Sequence, residues 1–196
     1  MTSNRTPAPR RTDPRRLAQI AIAAGNWRDA ADALGAAARD HPEDGALHYN
    51  LALACRLAGR AGEGAAAAKR AIALRPDDTK ALFELAACTL ETGEWATSAD
   101  ASRLYLSRHP GDADAATNLA AACLRLGLAE EAATVLEGVG GARAGLLRAE
   151  ALRDAGAMEA FEAAMAALDG PTLRPQLLKL RAQGPRGRLP LDPARL

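Results

Sequence analysis

Leu85–Pro110 reads LAACTLETGEWATSADASRLYLSRHP. Its opening turns set small and apolar side chains three to four residues apart, the spacing of one stripe on a helix. Gly93 interrupts, and glycine tolerates the left-handed backbone that closes a helix. From Trp95 a second helix carries Ser98, Ser102 and Tyr105 on one stripe. Pro110 ends it, because the residue before a proline is held extended.

The same punctuation recurs outward in both directions. Gly25, Gly59, Gly93 and Gly127 stand 34 residues apart, and Pro42, Pro76 and Pro110 keep the same period. Leu17-Ala18 with Ala21, Leu51-Ala52 with Cys55, Leu85-Ala86 with Thr89 and Leu119-Ala120 with Cys123 are the expected packing places of successive first helices. Second helices follow with Ala30, Leu34 and Ala37, then Gly64, Ala68 and Ala71, then Ala132 and Leu136. His41-Pro42-Glu43-Asp44, Arg75-Pro76-Asp77-Asp78 and His109-Pro110-Gly111-Asp112 each offer a carboxylate to cap the next helix. Trp27 and Trp95, two periods apart, read as packing residues at the turn between helices. A fixed period of this length means a two-helix unit stacked on copies of itself.

The fold class expected is therefore all-α, an α-solenoid of antiparallel helix pairs. Units are read at 11–44, 45–78, 79–112, 113–141 and 142–168, the last a degenerate fifth, with a capping helix over 171–183. Gly138-Val139-Gly140-Gly141 stands where the fourth unit should finish its second helix. It is either a hinge or an eroded repeat. Residues 1–10 and 184–196, rich in Arg and Pro, read as disordered basic arms.

The overall charge of +1 is segregated: residues 1–16 carry +4 and residues 172–196 carry +5, which leaves −8 on the body between them. Basic ends on an acidic body could attach to nucleic acid or an anionic membrane surface. Aromatic residues are only 3% of the chain and do not interleave with the basic positions, so specific nucleic-acid binding has little support. Arg far outnumbers Lys beside abundant Ala, the usage of a GC-rich bacterial genome. No apolar run reaches the roughly 20 residues a membrane span needs. Arg15-Arg16 before Leu17–Ala24 is a poor export signal, since Gln19 interrupts it and the segment is in register with the repeats; the expected location is the cytoplasm.

Little here suggests chemistry. His41 and His109 fall at helix ends before a proline, where a partial positive charge suits the dipole, and His48 takes a packing place. No histidine pair has metal-ligand spacing and no glycine-rich phosphate loop is present. Cys55, Cys88 and Cys123 recur in successive first helices, which sit about 8–10 Å apart when packed. Thiolates sharing one zinc lie much closer, so these cysteines read as small core hydrophobes. Neither a cofactor nor a metal is expected, and the chain reads as no enzyme.

The helix-turn-helix units, with their glycine and proline punctuation, closely resemble the tetratricopeptide repeat over residues 11–137. The chain departs from that family's pattern by placing small residues where aromatics are usual. The resemblance implies that the α-solenoid is right-handed and that its first helices line a concave face holding a peptide of a partner protein. The groove residues it picks out are Arg15, Gln19, Tyr49, Asn50, Leu53, Lys80, Phe83, Glu84 and Asn118, with Arg56 and Arg125 beside them. Tyr49, Leu53 and Phe83 form an apolar centre flanked by polar donors. Asn50 and Asn118 match a family asparagine that grips peptide backbone. Chaperone-binding relatives add a clamp for two carboxylates, whose places here hold Arg15, Gln19, Asn50, Lys80 and Glu84. Glu84 stands where the clamp wants Arg, so a mixed-charge or internal segment is expected rather than a peptide C-terminus. The resulting expectation is a non-catalytic adaptor, scaffold or chaperone. Two alternatives remain open: a self-associating or end-docking subunit with an idle groove, and attachment through the basic arms.

Overall fold

The computed structural model describes residues 13–168 and 172–183. The basic arms read at 1–10 and 184–196 and the proline at 171 lie outside the described residues. Among the described residues there are eleven helices and no strand: α1 Pro14–Ala23, α2 Trp27–Asp40, α3 Gly45–Leu57, α4 Ala61–Leu74, α5 Lys80–Thr92, α6 Trp95–Leu106, α7 Ala113–Leu126, α8 Ala129–Val135, α9 Ala142–Asp154, α10 Met158–Ala167 and α11 Arg174–Ala182.

The periodic residues act as punctuation. Gly93 and Gly127 close α5 and α7 in the left-handed region, at φ 82° and 77°. Asp78 accepts from the Lys80 amide just ahead of α5, whose cap position is Thr79, while Asp44 and Asp112 cap α3 and α7, accepting from the Ala46 and Leu47 amides and from Ala115. Each such cap is worth about 1 kcal/mol.

Every helix from α1 to α9 packs on its successor, and α3, α5, α7, α9 and α11 also touch in series. The odd helices thus make a continuous inner layer and the even ones an outer layer. The interior is built from small side chains. Ala30, Ala52, Cys55, Ala68, Cys88, Ala99, Ala120, Cys123 and Ala132 are wholly buried. Gly64 is a tight point within it: a Cβ there would sit 2.7 Å from Cys88 Sγ and 3.2 Å from the Ala52 carbonyl oxygen, so α4 approaches its neighbours closer than any other residue would allow. Ion pairs 28 residues apart stitch each unit to the next, Asp32–Arg60 at 2.6 Å, Arg56–Glu84 at 2.7 Å and Arg103–Glu131 at 2.7 Å.

Regularity fails after α8, which stops after seven residues. Leu136 is buried behind it, Gly138 and Gly141 turn at positive φ, and Val139 packs on the same cluster. Beyond this joint the core changes character: Leu152, Phe161, Met165 and Leu180 pack together. Arg153, only 2% exposed, binds Asp154 at 2.7 Å and donates to the Leu180 carbonyl at 3.2 Å, which ties α11 to α9.

Two expected packing residues are corrected. Leu17 is 44% exposed, because α1 begins the described array and no earlier helix pair covers its outward side. Trp95, at the first position of α6, is 38% exposed and lies along Gly93 at the surface, whereas Trp27 is half-buried.

Candidate protein-binding face

The inner layer determines what a partner could meet. Asn50 on α3 and Lys80 at the start of α5 are exposed, as are Arg15 and Gln19 on α1. Tyr49, Leu53 and Phe83 are half-buried, presenting apolar surface without being lost to the core. Burial, then the carboxylates of Glu84 and Asp78, push the Tyr49 phenol upward against the opposing Arg56, so it is a neutral hydrogen-bond donor at physiological pH.

Two of the residues read from the sequence are placed elsewhere. Glu84 is only 4% exposed, and Arg56 takes both its oxygens, Nε at 2.7 Å and Nη2 at 3.3 Å. Its charge is compensated inside the α3–α5 contact, so it does not present a repelling carboxylate to a ligand. Asn118 is 8% exposed, on a helix flanked in the inner layer by both α5 and α9, and has little amide left to offer. Arg15 is partly engaged as well, donating to the capping Asp44 at 3.1 Å across the unit boundary. That pair is well exposed, and pairs of this kind are weak enough to exchange for a ligand carboxylate.

The structure adds residues that the sequence reading assigned to packing or left out. Tyr105 on α6 meets Phe83 with ring centroids 5.5 Å apart and His109 at 4.6 Å. Its hydroxyl donates to Asp112 at 2.9 Å, and His109 Nε2 lies 2.8 Å from Thr79 Oγ1. The aromatic patch therefore spans both helices of its unit, which helix periodicity alone does not reveal. Farther along the inner layer, Arg125, Glu150, Gln176, Lys179 and Gln183 surround a depression of about 270 Å3. Arg125 was legible as a groove position; Lys179 entered the sequence reading only as terminal charge. A larger concavity, about 840 Å3, lies on the outer side between α2 and α4, over Leu51 and Cys55.

No group of three or more histidine, cysteine or acidic residues suited to a metal occurs among the described residues. The three cysteines are fully buried and unpaired with one another. Burial lifts the Cys88 thiol to about 12 and the Cys123 thiol to about 11, which keeps both protonated and inert. His48 Nε2 lies 3.0 Å from the Pro42 carbonyl oxygen, and His41 caps the end of α2.

A tetratricopeptide repeat model matches residues 15–78 and again 58–112, together half of the chain. The chain belongs to the tetratricopeptide repeat family. Solved structures agree with this all-helical solenoid. MamA from Desulfovibrio magneticus RS-1 superposes with a TM-score of 0.68 at 16% identity, over 87% of this chain and 94% of its own. TTC0263, a thermophilic tetratricopeptide protein of Thermus thermophilus, gives 0.58 at 16% identity over 87% and 98%. The second tetratricopeptide domain of human RPAP3, solved with the HSP70 peptide SGPTIEEVD, gives 0.51 at 17% identity over 56% and 92%. No curated protein matches the tetratricopeptide chain in sequence. Among its described residues no helix is long and apolar enough to cross a membrane.

Proposed function

We propose that this chain is a non-catalytic adaptor, scaffold or chaperone of the bacterial cytoplasm that holds an extended, acidic segment of a partner protein along its inner layer. Membership of a family of interaction modules supports the general role. The single observation that carries the preference for acid is the closure of Glu84 by Arg56. With that carboxylate compensated, Lys80 and Asn50 stay exposed beside the half-buried Tyr49, Leu53 and Phe83. An ammonium takes a carboxylate, an amide grips peptide backbone through donor and acceptor together, and the rings take apolar side chains. Arg125 and Lys179, which outnumber Glu150 in the same depression, would attract a second acidic stretch farther along the layer.

The test is fluorescence anisotropy with labelled nonapeptides. SGPTIEEVD, the peptide held by the RPAP3 domain, serves as the acidic probe, with its Glu-to-Lys version as control. The acidic probe should bind in a salt-sensitive manner, and Asn50→Ala/Lys80→Ala should weaken it about tenfold or more, the size of roughly one lost charged hydrogen bond. Equal binding of both probes, or indifference to the double substitution, would sink this reading.

A further inference from the structure

A solenoid covers the flat side of each unit with the next unit, so its two ends are where apolar surface is left over. At the α1/α2 end, Leu17, Ile20, Ala24, Ala33 and Ala36 line a concavity of about 640 Å3. Leu17 and Ile20 are 44% and 58% exposed, and Asp29 and Asp32 stand on the rim. At the α10/α11 end, Met165, Leu168, Leu177 and Leu178 line a second concavity of about 350 Å3, with Leu178 69% exposed. Here the rim is basic, Arg174 and Arg181.

The two concavities are therefore alike in being apolar, and the charged residues that line them are opposite in sign. The rim ions already paired, Asp32 with Arg60 and Arg181 with Glu162, are solvent-exposed and weakly held, so they can be shared with a newcomer. Joining two α1/α2 ends would set aspartates against aspartates, and joining two α10/α11 ends would set arginines against arginines. Such like-charge contacts select against both arrangements. We propose that copies of this chain stack head to tail, the α10/α11 end of one seated on the α1/α2 end of the next. The contact uses a different patch on each copy, so each added copy leaves one end unused and assembly continues past the dimer. It leaves the inner layer free and stands independently of the peptide reading above.

The test is sedimentation velocity on the full chain over a concentration series, using wild type, Ile20→Glu, Leu178→Glu and an equal mixture of the two variants. Both positions are exposed, so each variant should keep its helical circular dichroism. Wild type should grow past dimer with concentration, while each variant alone should sediment at least tenfold more weakly associated. The mixture should form dimers and stop there, because each variant retains one working end of opposite kind. Wild type that stays monomeric to several hundred micromolar overturns the proposal. Dimers of either variant alone do so too, since they would mean like ends join. If wild type is monomeric and cross-linking ties residues 1–12 to Ile20, or residues 184–196 to Leu178, the occupant is the chain's own terminal segment instead of a second copy.

Discussion

Between Gly45 and Leu106 helices meet mostly through alanine, with cysteine and Leu85 among them, whereas beyond Gly141 they meet through Phe161, Met165, Leu152 and Leu180. The first region gains stability by bringing backbones close. The second fills wider gaps with large side chains and adds a buried guanidinium to hold its last helix. Close approach works where a neighbour of the same kind lies on both sides, and it fails where the repeat runs out.

The strongest way to break this contrast is Arg153→Ala. It removes both guanidinium bonds to the nearly buried Asp154 and the one to the Leu180 carbonyl, a loss of about 3 kcal/mol or more, since each charged hydrogen bond is worth about 1.5–3 kcal/mol. Urea denaturation should record it, and hydrogen exchange should show the loss concentrated in α9–α11 while α3–α6 stay protected. Uniform deprotection would mean that the two regions unfold as one.

In the close-packed region the corresponding test is Gly64→Ala, which drives a methyl against Cys88 Sγ and the Ala52 carbonyl. A cost of about 1–3 kcal/mol is expected for overpacking. Adding Cys88→Ala should recover part of that cost, and a double-mutant cycle measures the coupling. Strict additivity would mean that the helices part instead of yielding locally.

Glu84→Gln should have a smaller effect, about 1–2 kcal/mol, by weakening the charged hydrogen bonds from Arg56. Thermal denaturation compared with Glu84→Gln/Arg56→Gln separates loss of the pair from loss of an isolated partner.

The smallest effect concerns the thiols. With Cys88 at about 12 and Cys123 at about 11, thiolate at pH 8 is at most about one part in a thousand, so a disulfide reagent should leave native protein unmodified and titrate all three cysteines in denaturant. These thiols favour their protonated form when folded. Their contribution is complete below the ordinary thiol pKa and fades as pH climbs from about 9 toward 12. Rapid native modification at pH 8 would show that the close-packed region opens readily.

Much of the architecture could be read from the chain because its determinants are local. A glycine at positive φ, a proline that ends a helix and an aspartate that caps the next all act within a few residues. Asp44 and Asp112 cap α3 and α7, and Asp78 accepts from the first amide of α5, at the same interval as the glycines. The face itself was less legible. Whether Glu84 points at a ligand or at Arg56 depends on how two first helices lean together, and no spacing in either helix records that. Asn50 and Asn118 occupy equivalent places, yet one is exposed and the other buried, since α7 has inner-layer neighbours on both sides. Tyr105 escaped because its partner ring belongs to another helix.

Gly64, Ala30, Ser98 and Ala132 occupy one repeated place and each is buried. Each nonetheless fits only its own surroundings: Ser98 donates to the Ala86 carbonyl at 2.8 Å, and Gly64 alone leaves room for a thiol. Tandem genes change length by recombination between copies. Exchange between these two copies would bring a hydroxymethyl group against Cys88. The order of the units is thus written into their contacts, and the array resists being shuffled, shortened or extended from within.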